Sequence, residues 1–594
     1  MEKLQSSSRE LIARSEQLCA DHGIDFASIW WIDRPDRASV TAGVPEADMA
    51  DAVAVLHGLP RYDGRSVHVI DQELPAALRA GSLIVDDGLS LVEFTDGVPQ
   101  TQHRAEVCTY GELRSLVESQ FSEEFTSNAV EGLFRKASEH SAKYVMSGSQ
   151  LLVSAVLALV FLALIWVSLS GTLALILGLT NLFLLAAVVF KLVAVIAGLR
   201  SPKPSYSIDE LEEYPFYTIL APVFKEPEVV RALAKNLGEM NYPADRFEIL
   251  LLLEESDDVT AQALVDIPGN LLSVVVPSSQ PQTKPKACNW ALHVTRGDFC
   301  VIYDAEDKPD VDQLLIALAA FTSPENEDVL VVQGALDYWN DEQNPITRMF
   351  ALEYAWWFKF MLPGLSRLGV PIPLGGTSNH FRTGPLRELH GWDGYNVTED
   401  ADLGIRAAAH GWRVSIIPSM TKEEANSQAW NFVRQRSRWI KGYMMTALVR
   451  TRHPIELYRT VGIRGFLSFL FLIAGTPFTF LVTPPLWALF ALSATVNPSW
   501  LQNIFAGPWG VLALINLVVI NCVVMWLNLF ACTEEGRSKL VWWSFMNPIY
   551  WMLHSTASYM ALYELIVKPH FWQKTNHGLA GHVDPEGGED NDGH

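Results

Sequence analysis

Charge is absent from two stretches of this 594-residue chain, 151–170 (LLVSAVLALVFLALIWVSLS) and 172–190 (TLALILGLTNLFLLAAVVF). At 1.5 Å per residue each can cross a hydrocarbon core of roughly 30 Å, which excludes an entirely soluble protein. The first is not expected to be a secretory leader, because about 150 residues come before it. Cysteine is scarce and unpatterned. The six thiols (Cys19, Cys108, Cys288, Cys300, Cys522 and Cys532) show no CxxC spacing, which excludes a thiolate zinc site and a disulfide framework. Cations are in the minority, 44 Lys and Arg against 67 Asp and Glu, for a net charge of -23. No nucleic-acid partner is expected. Residues 1–145 hold short apolar stretches between helix-like ones and no catalytic motif, so they read as a small α/β accessory or regulatory domain on the cytosolic side.

What is present begins with the flanks of those runs. Arg135, Lys136 and Lys143 precede the first, and Lys191, Arg200 and Lys203 follow the second. Both outer ends of a transmembrane hairpin over 146–200 are therefore expected in the cytosol. A second apolar block occupies 461–568. Its 465–493 part contains Thr476-Pro477 and Thr483-Pro484-Pro485 and reads as two short passes or one pass with an interfacial helix. Residues 509–532 and 541–567 supply two more, for six spans in a bilayer. The tail 579–594 is acidic and Gly-rich and is expected to be disordered.

Between the two apolar blocks, residues 201–460 alternate strand-like runs (217–224, 247–256, 271–279, 299–307, 328–336) with helical patterns such as 226–240 and 285–296. That βαβ rhythm predicts a mostly parallel sheet covered on both faces. Ligands of such sheets sit beyond the carboxyl ends of the strands, and acids collect there. One strand ends in Glu254-Glu255 and another in Asp304-Ala305-Glu306-Asp307. Asp304 and Glu306 can share one Mg2+ or Mn2+ with a diphosphate; an acidic turn is the bland alternative. Gly376 and Thr377, in GGTSNHFR (375–382), can bring backbone N–H groups to a sugar or phosphate. Glu399 and Asp400 stand at a helix start with Thr398 as its expected cap, and Asp400 is a candidate general base. Lys284 and Lys286 are candidate diphosphate contacts. The basic decamer VRQRSRWIKG (433–442) places Gln435, Arg438 and Trp439 on one helical face, as either a lipid-facing strip or a clamp for an anion.

The succession Asp304-Ala305-Glu306, Thr398-Glu399-Asp400 and Gln435-Arg436-Ser437-Arg438-Trp439, followed by membrane helices, resembles glycosyltransferase family 2 in its membrane-embedded processive branch. These are the cellulose, chitin and hyaluronan synthases. The resemblance covers roughly 215–578. It implies a GT-A-type cytosolic catalytic domain inserted between transmembrane helices. Asp304 and Glu306 would bind the metal and UDP diphosphate, and Glu254, Glu255, Lys284 and Lys286 would belong to the donor side. Asp400, beside Glu399, would be the base. Gln435 and Arg438 would hold the diphosphate, with Trp439, Gly376 and Thr377 on the acceptor side. A gating-type loop is implied at 569–578, with Trp572, Thr575 and His577. This chain departs from the family pattern in carrying Glu254-Glu255 for an aspartate pair and in lacking a glutamine after Trp439.

The resemblance implies an inverting UDP-sugar hexosyltransferase of a bacterial inner or plasma membrane. It would elongate and export a β-linked polysaccharide, with an accessory export subunit as a candidate partner. Transfer of a single sugar to a membrane lipid is the nearest rival. A catalytically silent glycan or nucleotide receptor is a further one, disfavoured by the intact acid set.

Overall fold

The computed structural model describes residues 46–572 apart from 71, 97–98, 203, 265–270, 506 and 535–536. The N-terminal 45 residues, Thr575, His577 and the acidic tail lie outside the described residues. The first described unit is a four-stranded sheet, β1 (His68–Val69), β2 (Ser82–Asp86), β3 (Leu91–Thr95) and β4 (Arg104–Val107), in that spatial order. The helix Tyr110–Lys136 follows, started by a capping box in which Thr109 and Glu112 satisfy each other's backbone N–H.

This helix shares a core with the next unit. Phe125 meets Trp290 edge-on at 5.7 Å and stacks on His293 at 4.4 Å. The Asn289 amide donates to the carbonyls of Ala129 (2.9 Å) and Trp392 (2.7 Å) and accepts from Trp392 N–H.

The main sheet has eight strands: β5 (Tyr217–Val223), β6 (Phe247–Glu254), β7 (Leu271–Val276), β8 (Phe299–Ile302), β9 (Lys308–Pro309), β10 (Val329–Tyr338), β11 (Asn379–Arg382) and β12 (Arg413–Glu423). Their spatial order is β7-β6-β5-β8-β11-β10-β12-β9. All five strands expected from apolar runs form, and β5, β6, β7 and β8 pair parallel. The sheet is nevertheless mixed. The short, polar β11 pairs antiparallel with both β8 and β10, and the two-residue β9 pairs antiparallel with β12. Neither carries an apolar run that periodicity could detect.

Among the described residues four helices are long and apolar enough to cross a membrane: Gly148–Val167, Leu169–Leu199, Pro454–Thr495 and Pro508–Phe530. The 465–493 stretch is one continuous helical path rather than two short passes. Its prolines are tolerated because the freed backbone groups find other partners. Pro485 cannot donate to the Leu481 carbonyl, and the Tyr559 hydroxyl does so instead at 2.7 Å. The fifth apolar segment, Asn547–Val567, buries polar residues such as His554, Ser558 and Glu564 and is not among the four. The Leu169–Leu199 helix is joined to the helical segment 357–367 by glycines. A Cβ on Gly198 would lie 1.9 Å from the Phe360 carbonyl oxygen, and one on Gly364 would lie 1.8 Å from that of Ala194. Only glycine permits backbones that close.

Candidate active site

Three acid-bearing segments converge. The end of β6 presents Glu254, the turn after β8 presents Asp304, Glu306 and Asp307, and the start of the helix Glu399–Ala409 presents Glu399 and Asp400. All but Asp307 line one cavity of about 940 Å3, as do Lys284, Gly376, Thr377, Glu423, Gln435, Arg438, Trp439 and Trp572. Gly376 lies between two of the acids. A Cβ there would meet Asp400 Oδ2 at 3.5 Å and Asp304 Oδ2 at 4.0 Å, so any side chain would crowd the space the carboxylates face. Lys284 Nζ donates to Asp304 Oδ1 and to the Gly376 carbonyl, the latter at 2.7 Å. Burial would lower this ammonium, but Asp304 and Glu399 outweigh it and hold it above its ordinary value.

The acids repel one another in a dry place. Burial, reinforced by Asp304 and Glu306, pushes the Asp307 carboxyl well above the usual carboxylate range. Burial and the same acids raise Glu423, at the end of β12. Asp307 Oδ2 accepts from Asp304 N–H (2.6 Å) and the Thr377 hydroxyl, while its buried Oδ1 has no partner. A crowded set of carboxylates around one cavity fits a divalent cation, which would relieve the repulsion. Among the described residues no cluster of three or more His, Cys, Asp or Glu is preassembled for a metal, so substrate oxygens would complete the shell.

Asp400 is raised by burial despite a bond from Ala401 N–H at 2.7 Å, and Glu399 by burial and then by Asp400. Thr398 holds the N-cap position without capping, and its Oγ1 has no hydrogen-bond partner. It is pressed instead against Gly442, where a Cβ would come within 2.1 Å of Thr398 Oγ1. The 398–400 turn thus rests directly on the helix Ala429–Arg450.

That helix divides its cations. Arg438 faces the cavity, its Nε without a hydrogen-bond partner, as is Gln435 Oε1. Burial lowers Arg438, partly offset by Glu399, Asp304 and Asp400. Arg436 is committed to Glu353 through two bonds of 3.0 and 2.5 Å and packs on Phe350 and Trp439. Lys441 is buried against Glu564 (2.9 Å) and the Phe571 carbonyl (2.7 Å). Arg434 is exposed, with its guanidinium 5.8 Å from the Trp430 ring. Of the four cations, Arg438 lies at the acidic part of the cavity without an ion-pair partner among the described residues, and two, Arg436 and Lys441, hold the helix to its neighbours.

Other expected positions fall elsewhere. Lys286 lies behind the site, fully buried and donating to Glu254 (2.8 Å) and the Pro277 carbonyl (3.0 Å). Glu255 points outward and accepts from Ser278 N–H. Thr377 is tied to Asp307 and the Ile302 carbonyl (3.1 Å), so it braces the acids. Trp572 packs over Arg438 at 5.2 Å. It is placed there by Lys441 on Phe571 and by His570, whose ring nitrogens lie 3.1 and 3.2 Å from the carbonyls of Tyr395 and Lys143. Glu423 and Asp307 escaped the sequence reading. Asp307 was visible only as part of an acidic string, and Glu423 belongs to a strand with no apolar run.

A family model described as "Glycosyl transferase family group 2" matches residues 299–562. This segment is similar to that family. The match runs from β8 through the acids, the Gln435–Trp439 face and the C-terminal helices. Beta-monoglucosyldiacylglycerol synthase of Nostoc sp. (strain PCC 7120 / SAG 25.82 / UTEX 2576) is 28% identical over 48% of this chain and 60% of its own length. Probable glycosyltransferase YdaM of Bacillus subtilis (strain 168) is 25% identical over 40% of this chain and 58% of its own. Probable glucomannan 4-beta-mannosyltransferase 7 of Oryza sativa subsp. japonica is 26% identical over 39% and 41%. The chain therefore spans less than two thirds of the length of these relatives. Among solved structures, mannosyltransferase PcManGT from Pyrobaculum calidifontis, in complex with GDP-Man and Mn2+, aligns with 66% of this chain and 99% of its own at 18% identity and a TM-score of 0.44.

Proposed function

We propose that this protein is an inverting, metal-dependent glycosyltransferase that moves a hexose from a UDP-sugar to an acceptor hydroxyl reached from the membrane. One observation carries the reading. A single cavity holds Asp304, Glu306, Asp400 and Arg438 at one end and continues past Trp439 between Leu184, Thr483, Trp487 and Asn516 of the membrane helices. Asp304 and Glu306 would hold Mg2+ or Mn2+, which when bound neutralises the diphosphate. Arg438 pairs with phosphate oxygens through its fork and Gln435 adds an amide. Asp400, raised by burial, takes the proton from the attacking hydroxyl. Direct attack at the anomeric carbon inverts it, giving a β-linkage from an α-donor. Trp439 offers a ring face to the acceptor sugar, and Trp572 covers Arg438. The basic flanks of the first hairpin favour a cytosolic catalytic face in a plasma or bacterial inner membrane.

Elongation of a β-glycan threaded into the membrane is the first form of this reading. Transfer of one sugar to a membrane lipid is the second, favoured by the apolar walls at Leu184, Val188, Leu517 and Val524 and by the printed name of the Nostoc relative. Incubating membranes with a panel of radiolabelled UDP-sugars, with and without EDTA, tests the proposal. Chelator-sensitive incorporation is expected from one sugar. Incorporation unchanged in excess EDTA contradicts metal dependence, and none from any UDP-sugar contradicts the donor. Sizing the product separates polymer from single-sugar lipid.

A further inference from the structure

The Leu169–Leu199 helix contains one charged residue in 31, Lys191. Sequence flanks suggest that it marks the cytosolic end of a span. The helix instead continues for eight more residues, about 12 Å at 1.5 Å per residue. Lys191 belongs to the stripe Leu177, Asn181, Leu184, Val188 and Lys191, which repeats every three or four residues and faces the cavity. It is thus a cation in the wall of the membrane end.

Among the described residues nothing neutralises it fully. The opposite charge acting on Lys191 is Glu353, and Glu353 is already engaged. Both its oxygens accept from Arg436, Tyr550 OH donates to Oε2 at 2.7 Å, and His554 Nε2 lies 3.9 Å away. The Arg436–Glu353 pair balances itself. Among the described residues Lys191 makes no hydrogen bond or ion pair. An ionisable side chain at membrane depth is costly and ordinarily marks a functional position. The acids that could offset it, Asp304, Glu306, Glu399 and Asp400, belong to the donor end. Beyond Lys191 the walls are mostly apolar, at Leu184, Val188, Leu517, Ile520 and Val524, with Asn181, Thr483 and Asn516 as isolated polar groups.

A cation followed by hydrocarbon walls matches an anionic headgroup followed by acyl or prenyl chains. We infer that the membrane end of the cavity binds a phosphate-bearing lipid, with its phosphate on Lys191 and its chains along Leu184, Val188, Leu517 and Val524, and that this lipid presents the acceptor to Trp439 and Asp400. The inference rests on the cavity being the acceptor's route.

The test reads lipid binding and donor binding separately. Protein purified in phosphatidylcholine nanodiscs with a minor fraction of phosphatidic acid is assayed for retained phosphatidic acid by mass spectrometry, and for UDP affinity by calorimetry. Wild type is expected to enrich phosphatidic acid above its share in the disc. Lys191→Gln is expected to lose that enrichment by about tenfold, the equivalent of one charge-assisted contact, and Lys191→Arg to keep it. UDP affinity stays unchanged in both and reports that they are folded; should the Gln variant lose it, Lys191→Met repeats the neutralisation. Inorganic phosphate is expected not to displace the lipid. Equal enrichment in wild type and the neutral variants, or displacement of the lipid by free phosphate, overturns the inference. Absence of UDP binding in wild type would instead overturn the glycosyltransferase reading while leaving the lipid result legible.

Discussion

The two ends of the cavity are built differently. The donor end is made of strand ends and helix starts, whose carboxylates are fixed by backbone geometry: Glu254 closes β6, Asp304 follows β8 and Asp400 opens a helix. The membrane end is assembled from side chains on several helices far apart in sequence, among them Lys191, Glu353, Arg436, Thr483 and Asn516. The first is acidic and crowded, suited to a cation and a diphosphate. The second is mostly apolar with isolated polar groups, suited to an acceptor that belongs to the membrane. On the proposed reading, the contrast teaches that donor chemistry is written locally, whereas acceptor choice is a property of helix packing. The helix Ala429–Arg450 serves both, with Arg438 toward the donor and Arg436 bracing the membrane side.

The comparison can be broken by substitution. The largest effect is expected from Asp400→Asn, which removes the base and should lower transfer by at least about a hundredfold while leaving UDP affinity within a few-fold. Turnover above a tenth of wild type would remove Asp400 from that role. Next, Arg436→Ala leaves the half-buried Glu353 without its main partner and should destabilise the protein by about 3 kcal/mol, read as a lowered unfolding midpoint. Arg438→Ala should leave that midpoint nearly unchanged and weaken UDP binding by about 1.5–3 kcal/mol, the value of hydrogen bonds to a charged group. If both arginines affect UDP binding alike, the division of the helix is wrong. Smaller again, Trp439→Ala should cost about 1 kcal/mol on the acceptor side. It should slow transfer more than it slows hydrolysis of the donor by water.

The smallest effect concerns pH. Asp307 and Glu423 are raised by burial, so the folded protein keeps protons that the unfolded chain has released. Their contribution to stability is complete below the unfolded carboxylate pKa and is lost as pH rises through the raised values. Metal-free protein should therefore lose stability as pH climbs from about 4. Mn2+ should restore a few degrees of midpoint near neutrality, roughly what binding of a ligand to the native state supplies. A midpoint indifferent to both pH and Mn2+ would take the cation away from this site.

The same contrast explains what the sequence could disclose. The five apolar strands, and the parallel pairing of four of them, were legible because each is a continuous run of β-forming residues. The acids were legible because they follow those runs directly. The decamer at 433–442 showed its cations but not their partners, since Glu353 and Glu564 are more than 80 residues away. Lys286 looked like a ligand contact for the same reason; its burial against Glu254 depends on how the helix Lys284–Leu292 packs. Residues 465–493 misled because prolines break helices in isolation, while here Tyr559 answers the carbonyl that Pro485 leaves free. Lys191 read as the edge of a span because charge normally marks one.

The account turns on the acceptor arriving through the membrane end while the donor is held at the acidic end. Sealed inside-out membrane vesicles, supplied with the radiolabelled UDP-sugar that supports incorporation, test this most directly. The account predicts label that stays with the vesicles, in their lipid or their lumen, and the luminal fraction should resist glycanase added outside. Label appearing mainly on a soluble acceptor in the external medium, with none retained by the vesicles, would contradict it.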